Sequence, residues 1–398
     1  MPWKEASPMT ERMRFIADYL RGVYSMTELC DWYDISRKTG YKILRRFESD
    51  GVDALADRSR RPHTSPDRTP EDVVDAILEV RKRHPGWGAK KIIGRLCIKN
   101  PEWPAPALST GSDILKRHGL VTSPRRRKHP GHPGRPDTSM SEPNKIWTID
   151  FKGHFRTRNG VYCYPLTVVD GFSRYILACD AFLSPCHSDT KNTLTRLFRE
   201  HGLPTIIRSD NGAPFASFAL GRLSRLAVWW IRLGIYPELI EPAHPEQNPR
   251  HERMHRTLKA ETTRPPAADR RAQQERFDCF RTEFNDERPH EALGQKTPAS
   301  VYLPSSRSFP EVLPPIEYPG HFETRRVSRN GGIRWNSHWV NVSSVLAEEH
   351  VGLEEVDDGL WNLYLGPLWL GRFDEHDMKI EDALGRKQRR KVLPMSPE

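Results

Sequence analysis

Three acidic residues stand in contexts suited to metal-dependent chemistry: Asp150 in WTIDF, Asp210 in IIRSDNG and Glu252 in HPEQNPRHERMHRTLKAE. The runs around the two aspartates are apolar and β-branched, which predicts strands, and Glu252 stands where a helix begins. Two strand-borne carboxylates and one helix-borne carboxylate can converge on one edge of a sheet. There they make a hard oxygen site for two Mg2+ or Mn2+ ions. Ions held this way can activate a water or a 3′-hydroxyl and stabilise the leaving oxygen of a phosphodiester. Any one of these acids alone reads as a surface or turn residue; the flanking contexts set the three apart.

The elements that must position them begin at Lys145. IWTIDFKGHF, VYCYPLTVVDGF and RYILACDAF are strand-like runs broken by Gly and Asn turns, and they predict a three-strand antiparallel meander. A helix, SDTKNTLTRLFREHG, and a short strand, TIIRSDNG, follow. Further helices are predicted in LGRLSRLAVWWIRLG, PRHERMHRTLKAET and RRAQQERFDCFRTEFND. Strands first, then alternating helix and strand, indicate a mixed-sheet α/β core over residues 144–305. Asp170, in VVDGFSR, reads as a structural residue of the turn between two strands. His244, His255 and His290 can contact DNA, support a neighbouring site residue, or serve packing alone.

Ahead of this core lie two helical units. Residues 1–58 contain MTERMRFIADYLRG, with Met13, Ile16, Ala17 and Leu20 at helical spacing. A short helix through Trp32, a turn at Asp34-Ile35-Ser36 and a basic helix from about Arg37 to Glu48 then follow. That is helix-turn-helix spacing, and it offers Arg37, Lys38, Lys42, Arg45 and Arg46 to DNA. Residues 68–121 form a second, similar unit with Val73, Val74, Ile77, Leu78 and Val80 on its first helix and Lys90 and Lys91 opening its second. Between the units, a stretch rich in Arg, Pro and Ser carries Arg58, Arg60 and Arg61 as candidate phosphate contacts. A second linker, 122–143, carries Arg125, Arg126, Arg127 and Lys128. Past the core, alternation and Gly turns over 318–376 predict a small β-barrel, and 377–398 reads as a basic tail.

Composition fits this division. The 398 residues suffice for two to four domains, and the low hydrophobic fraction of 36% suits small domains with polar connections. Lys and Arg number 62 against 52 Asp and Glu, a net charge of +10 that favours a polyanionic partner. Six cysteines form no CxxC pair and no zinc-finger spacing, which suits reduced thiols in a cytoplasm. No run spans a bilayer and no signal peptide opens the chain, so work in a cytoplasm, or wherever its DNA is, is expected.

Several segments together resemble a known family. Trp147 to Asp150 is similar to the W-x-x-D opening of DDE transposases and retroviral-type integrases, and Tyr164 to Arg174 to the strand-turn-strand after it. Arg208 to Gly212 is similar to the segment carrying the second acid, and Pro245 to Lys259 to the one carrying the third. Phe284 to Val301 is similar to the N-x-x-R-P-H tail. Together they cover about 145–302, and the resemblance is nearest to bacterial insertion-sequence transposases of the IS481/IS3 kind. It implies an RNase H-like core with a mixed five-stranded sheet and catalytic, metal-binding roles for Asp150, Asp210 and Glu252. It also implies cleavage at the ends of a mobile element, joining of the 3′-OH ends to target DNA, and a homo-oligomer (dimer or tetramer) on DNA.

The third acid requires a choice. Glu246 follows Asp210 by 36 positions, the separation often quoted for such cores, and Glu252 follows it by 42. Local context favours Glu252: Asn248 suits an N-cap and Pro249 a first helical position, which puts Glu252 in the first turn. Arg256 and Lys259, four and seven residues on, share its face and offer cations to phosphates. Pro249 departs from the family, which usually has Gly there. Two other readings are a transposase-derived, non-catalytic DNA-binding regulator and a related nuclease that does not join.

Overall fold

A computed structural model of the chain describes residues 7–57, 68–121, 138–240, 249–382 and 385. The chain divides into two compact units, Met1–Pro70 and Glu71–Glu398.

The first unit consists of α1 (Pro8–Leu20), α2 (Met26–Trp32) and α3 (Arg37–Asp50), followed by a short 3-10 turn. A serine starts each helix: Ser7, Ser25 and Ser36 each accept from the backbone N–H three residues on, and Glu28 returns a bond to Ser25. Phe15, Ile16, Met26, Leu29, Cys30, Ile43, Leu44 and Leu55 form the core. A Cβ on Gly40 would stand 2.5 Å from Cys30 Sγ, so α3 can approach α2 only with glycine there. The apolar stripe of α1 differs from the one expected. Phe15 and Ile16 are buried and Tyr19 partly so, whereas Met13 and Leu20 are exposed. Phe15 packs edge-on against Tyr33, and this large ring turns the helix by its position.

The second unit opens with α4 (Glu71–Arg83), α5 (Ala89–Lys99) and α6 (Leu108–Arg117), packed around Ile77, Trp87, Ile92 and Ile114. The sheet that follows contains β1 (Ile146–Phe151), β2 (Phe155–Arg156), β3 (Tyr162–Asp170), β4 (Ile176–Phe182), β5 (Ile206–Ser209) and β6 (Tyr236–Leu239). β1, β3 and β4 form the expected antiparallel meander, and β5 and β6 add on in parallel beside β1. The two-residue β2 pairs with β3 as an extra strand. α7 (His187–His201) and α8 (Arg225–Arg232) share a core with Trp147 and Ile149 on one side. α9 (Pro249–Thr262) and α10 (Arg270–Thr282) share one with Val169 and Ile176 on the other. Strand alternation then directs Thr148 and Asp150 away from Trp147 and Ile149, toward α9.

The C-terminal strands are β7 (Glu323–Arg326), β8 (Gly332–Trp335), β9 (His338–Asn341), β10 (His350–Asp357), β11 (Leu360–Leu365), β12 (Leu368–Asp374) and β13 (Lys379–Asp382). The expected small barrel does not close among the described residues: β13-β12-β11-β10-β7 is an open sheet, and β8-β9 is a separate hairpin. The apolar face of that sheet belongs to the same core cluster as α8, with Leu363, Leu370 and Phe373 joining Trp230 and Ile231. A sheet buried against a helix that is apolar all round has no need to close on itself. Lys379–Asp382, expected in the basic tail, pairs with β12 instead. Thr138, expected in the second linker, is held by the guanidinium of Arg208 and by Glu238.

Candidate active site

β1 and β5 run parallel, with Ile149 opposite Ser209 in the register. Asp150, next to last in β1, and Asp210, just past β5, each come one residue later and so stand on adjacent strands. Glu252 lies exposed in the first turn of α9, the helix that packs on the same face. Asp150 senses both of the other acids. Burial pushes the Asp150 carboxyl up to about 7, with Asp210 and then Glu252 adding to the rise against the opposing charge of Lys152. Burial raises Asp210 as well, opposed by the Gly212 N–H that its Oδ1 accepts at 3.2 Å. A Cβ at Gly212 would come to 3.1 Å from the Asp210 carboxylate, so the Asn211-Gly212 turn keeps that oxygen clear. Asn211 Nδ2 donates to Ile240 O at 2.7 Å and fixes the turn. Ser209 Oγ and Asn211 Oδ1 are buried beside it without a hydrogen-bond partner among the described residues.

Below Asp150 lies a pair that sequence reasoning only half identified. His251 and His255 stand edge to face 4.4 Å apart, both buried. The hydroxyl of Thr167, the residue opposite Asp150 in β3, is 2.7 Å from Nε2 of each ring and 3.1 Å from Asp150 O. His251 Nδ1 lies 2.7 Å from Thr148 Oγ1, and His255 Nδ1 lies 3.5 Å from Asp150 Oδ2. Burial keeps both rings neutral, pushing His251 down to about 3 and His255 well below the ordinary histidine range. Asp150, His251 and His255 each offer a ligand atom within 4.8 Å of the others. His255 was weighed in the sequence; His251 was missed, although H-x-x-x-H around Glu252 places both rings on one helix face.

The other expected residues divide. Asp170 is fully buried and accepts from Asn144 N, Ser173 N and Ser173 Oγ at 2.7, 2.8 and 2.6 Å, which closes the β3–β4 turn as expected. His290 is pushed down to about 3 by burial, then by Lys91, Arg288 and Arg174. Arg37, Lys38, Lys42 and Arg45 lie exposed on α3 and Arg46 is half-buried; Arg256 and Lys259 are exposed on α9. Lys90 is engaged elsewhere, 2.6 Å from Glu291, and Lys91 is partly buried, with burial and Arg288 lowering it to about 8. Arg58, Arg60, Arg61, Arg125, Arg126, Arg127, Lys128, His244 and Glu246 lie outside the described residues.

Residues 140–245 and 233–298 each match an integrase core domain, residues 11–63 a helix-turn-helix domain and residues 39–115 a homeodomain-like domain. The Gag-Pol polyprotein of baboon endogenous virus is 34% identical over 130 residues, 32% of this chain and 7% of that protein. The insertion element IS407 uncharacterized 31.7 kDa protein of Burkholderia multivorans is 28% identical over 193 residues, 47% of this chain and 65% of that one. The chain therefore spans less than two thirds of these relatives. Among solved structures, the simian T-cell lymphotropic virus intasome in complex with PP2A regulatory subunit B56 gamma matches 74% of this chain and 97% of its own, at 17% identity and TM-score 0.36. No helix among the described residues is long and apolar enough to cross a membrane. This chain thus carries an integrase core domain together with helix-turn-helix domains and has homologues in insertion elements and retroviral polyproteins.

Proposed function

We propose that this chain is a DNA transposase that binds the terminal inverted repeats of a mobile element, cleaves at its ends and joins the 3′-OH ends to target DNA. The observation that carries this reading is the placing of Asp150 and Asp210 on adjacent parallel strands, with Asp210 and Glu252 both raising the energy of charge on Asp150. Carboxylates forced together without cations are costly, so the donor set fits divalent ions. Asp150, Asp210 and Glu252 would hold two Mg2+ or Mn2+ ions, which when bound supply Lewis acidity to the attacking and leaving oxygens of a phosphodiester. The protein supplies the alignment. β1 and β5 hold two acids in register, the Asn211-Gly212 turn keeps Asp210 clear, and α9 brings Glu252 with Arg256 and Lys259 to the same region as cations for DNA phosphates. α3 offers its exposed cations for reading the inverted repeats, and joining two ends calls for a homo-oligomer, dimer or tetramer, on DNA.

The test is a strand-transfer assay on end-labelled inverted-repeat DNA with Mg2+ or Mn2+. Asp150→Ala, Asp210→Ala and Glu252→Ala are each expected to lower joining by about 10³-fold or more. Joining that survives all three substitutions rejects the assignment. Hydrolysis without joined product points to a nuclease, and DNA binding without either points to a regulator. Glu246→Ala is expected to retain joining where Glu252→Ala does not.

A further inference from the structure

We infer that His255 is a nitrogen ligand to a divalent cation shared with Asp150, so that this site is a mixed oxygen–nitrogen site. The inference rests on the proposed metal-dependent reading and goes beyond it in the ligand set and in the preferred ion.

The argument begins with one proton. The Thr167 hydroxyl has a single hydrogen and three neighbours: Asp150 O at 3.1 Å, His251 Nε2 at 2.7 Å and His255 Nε2 at 2.7 Å. If it donates to Asp150 O, both rings must donate to it from Nε2. If it donates to His251, His255 must still donate from Nε2. Either way the Nδ1 lone pair of His255 faces Asp150 Oδ2. In the remaining arrangement Thr167 donates to His255, and His255 Nδ1–H points at Asp150 across 3.5 Å, longer than an ordinary N–H···O bond. With His251 donating from Nδ1 to Thr148 and Thr148 donating to Val169 O at 3.2 Å, the second arrangement satisfies every group. The one contact outside that set is the Nδ1 lone pair of His255 facing Asp150 Oδ2 at 3.5 Å, which either a carboxyl proton or a cation can relieve.

A cation resolves that contact. Two ligand atoms about 2.1 Å from one ion lie about 3.0–3.5 Å apart for angles between square and tetrahedral, which brackets the observed separation. Asp150 and His255 each offer a ligand atom within 4.8 Å of the other, the spread expected of donors around one ion. Thr167 acts as the outer partner that fixes the ring and its tautomer. His251 has both nitrogens occupied by Thr148 and Thr167, so it positions Thr167 and does not reach the ion. Imidazole suits borderline cations better than Mg2+, so Mn2+ or Co2+ should be preferred over Mg2+ here.

The probe is Mn2+ bound to the full chain, read by electron spin-echo envelope modulation. Wild type is expected to show a 14N coupling that becomes a 15N pattern when histidine is 15N-labelled. His255→Gln keeps an amide near the Nε2 position, toward Thr167, and removes Nδ1. It should lose the coupling and weaken Mn2+ binding by about tenfold or more while affecting Mg2+ less. His251→Gln should retain the coupling. Mn2+ bound by wild type without nitrogen coupling, or a coupling that persists in His255→Gln, overturns the inference. The isotope measurement needs no variant, so a His255→Gln protein that fails to fold leaves the outcome decided. If Mn2+ binds without coupling and Asp150→Asn abolishes binding, only the histidine ligand fails; if wild type binds no Mn2+, the proposed function fails with it.

Discussion

The two helical units have similar spacing and use their charges differently. In the first, α3 buries Ile43 and Leu44 and leaves Arg37, Lys38, Lys42 and Arg45 in solvent. In the second, the charged groups pack against the end of the integrase core. Lys90 meets Glu291 at 2.6 Å, Arg95 meets Glu287 at 2.9 Å, and His84 meets Glu283 at 2.9 Å. Trp87 is fully buried, stacked on His84 at 4.1 Å with the Arg288 guanidinium over its ring at 5.6 Å. A helix-turn-helix pattern therefore does not by itself say whether its cations are free for phosphates. The first unit keeps them available; the second uses them to attach to the catalytic core.

The largest expected effect is on that attachment. Trp87→Ala should destabilise the second unit by about 3–5 kcal/mol and lower strand transfer with it, measured by calorimetry and the joining assay. A stable, active Trp87→Ala protein would break the comparison. Next is DNA affinity. Arg37→Glu, Lys42→Glu and Arg45→Glu combined should weaken inverted-repeat binding by about 10²–10³-fold at low salt and flatten its salt dependence, whereas Lys90→Glu should chiefly lower stability. Equal losses of affinity from both sets would show that the second unit also reads DNA.

A pH experiment sharpens the contrast for lysine. Folded Lys91 gives up its proton at about 8, whereas the unfolded chain keeps it to the ordinary lysine value of 10.5. Between these values the unfolded state binds more protons, so stability rises with pH; below 8 both states are charged and the full burial penalty remains. Lys91→Met should therefore raise stability by on the order of 1–3 kcal/mol at pH 7, with the gain fading toward pH 10.5. Denaturant melts across that range would show it. The smallest effect is local to the first unit: Ser25→Ala removes one side of the Ser25–Glu28 capping box and should cost about 1 kcal/mol in the same melts.

Much of this protein is legible in its sequence because local rules govern it. The turn at Asp34-Ile35-Ser36 and the Asn248-Pro249 pair mark helix starts, and the apolar runs around Asp150 and Asp210 mark strands, since capping and strand preference depend on near neighbours. The turn role of Asp170 could be read from VVDGFSR for the same reason. What only the tertiary structure decided depends on contacts between distant segments. The open C-terminal sheet follows from its burial against α8, and the exposure of Met13 from the packing of Phe15 on Tyr33. The engagement of Lys90 depends on an acid 201 residues away. The ring of His251 acquires its place only when α9 lies under Thr148 and Thr167, because a helix face has no meaning for chemistry until the strand it covers is known.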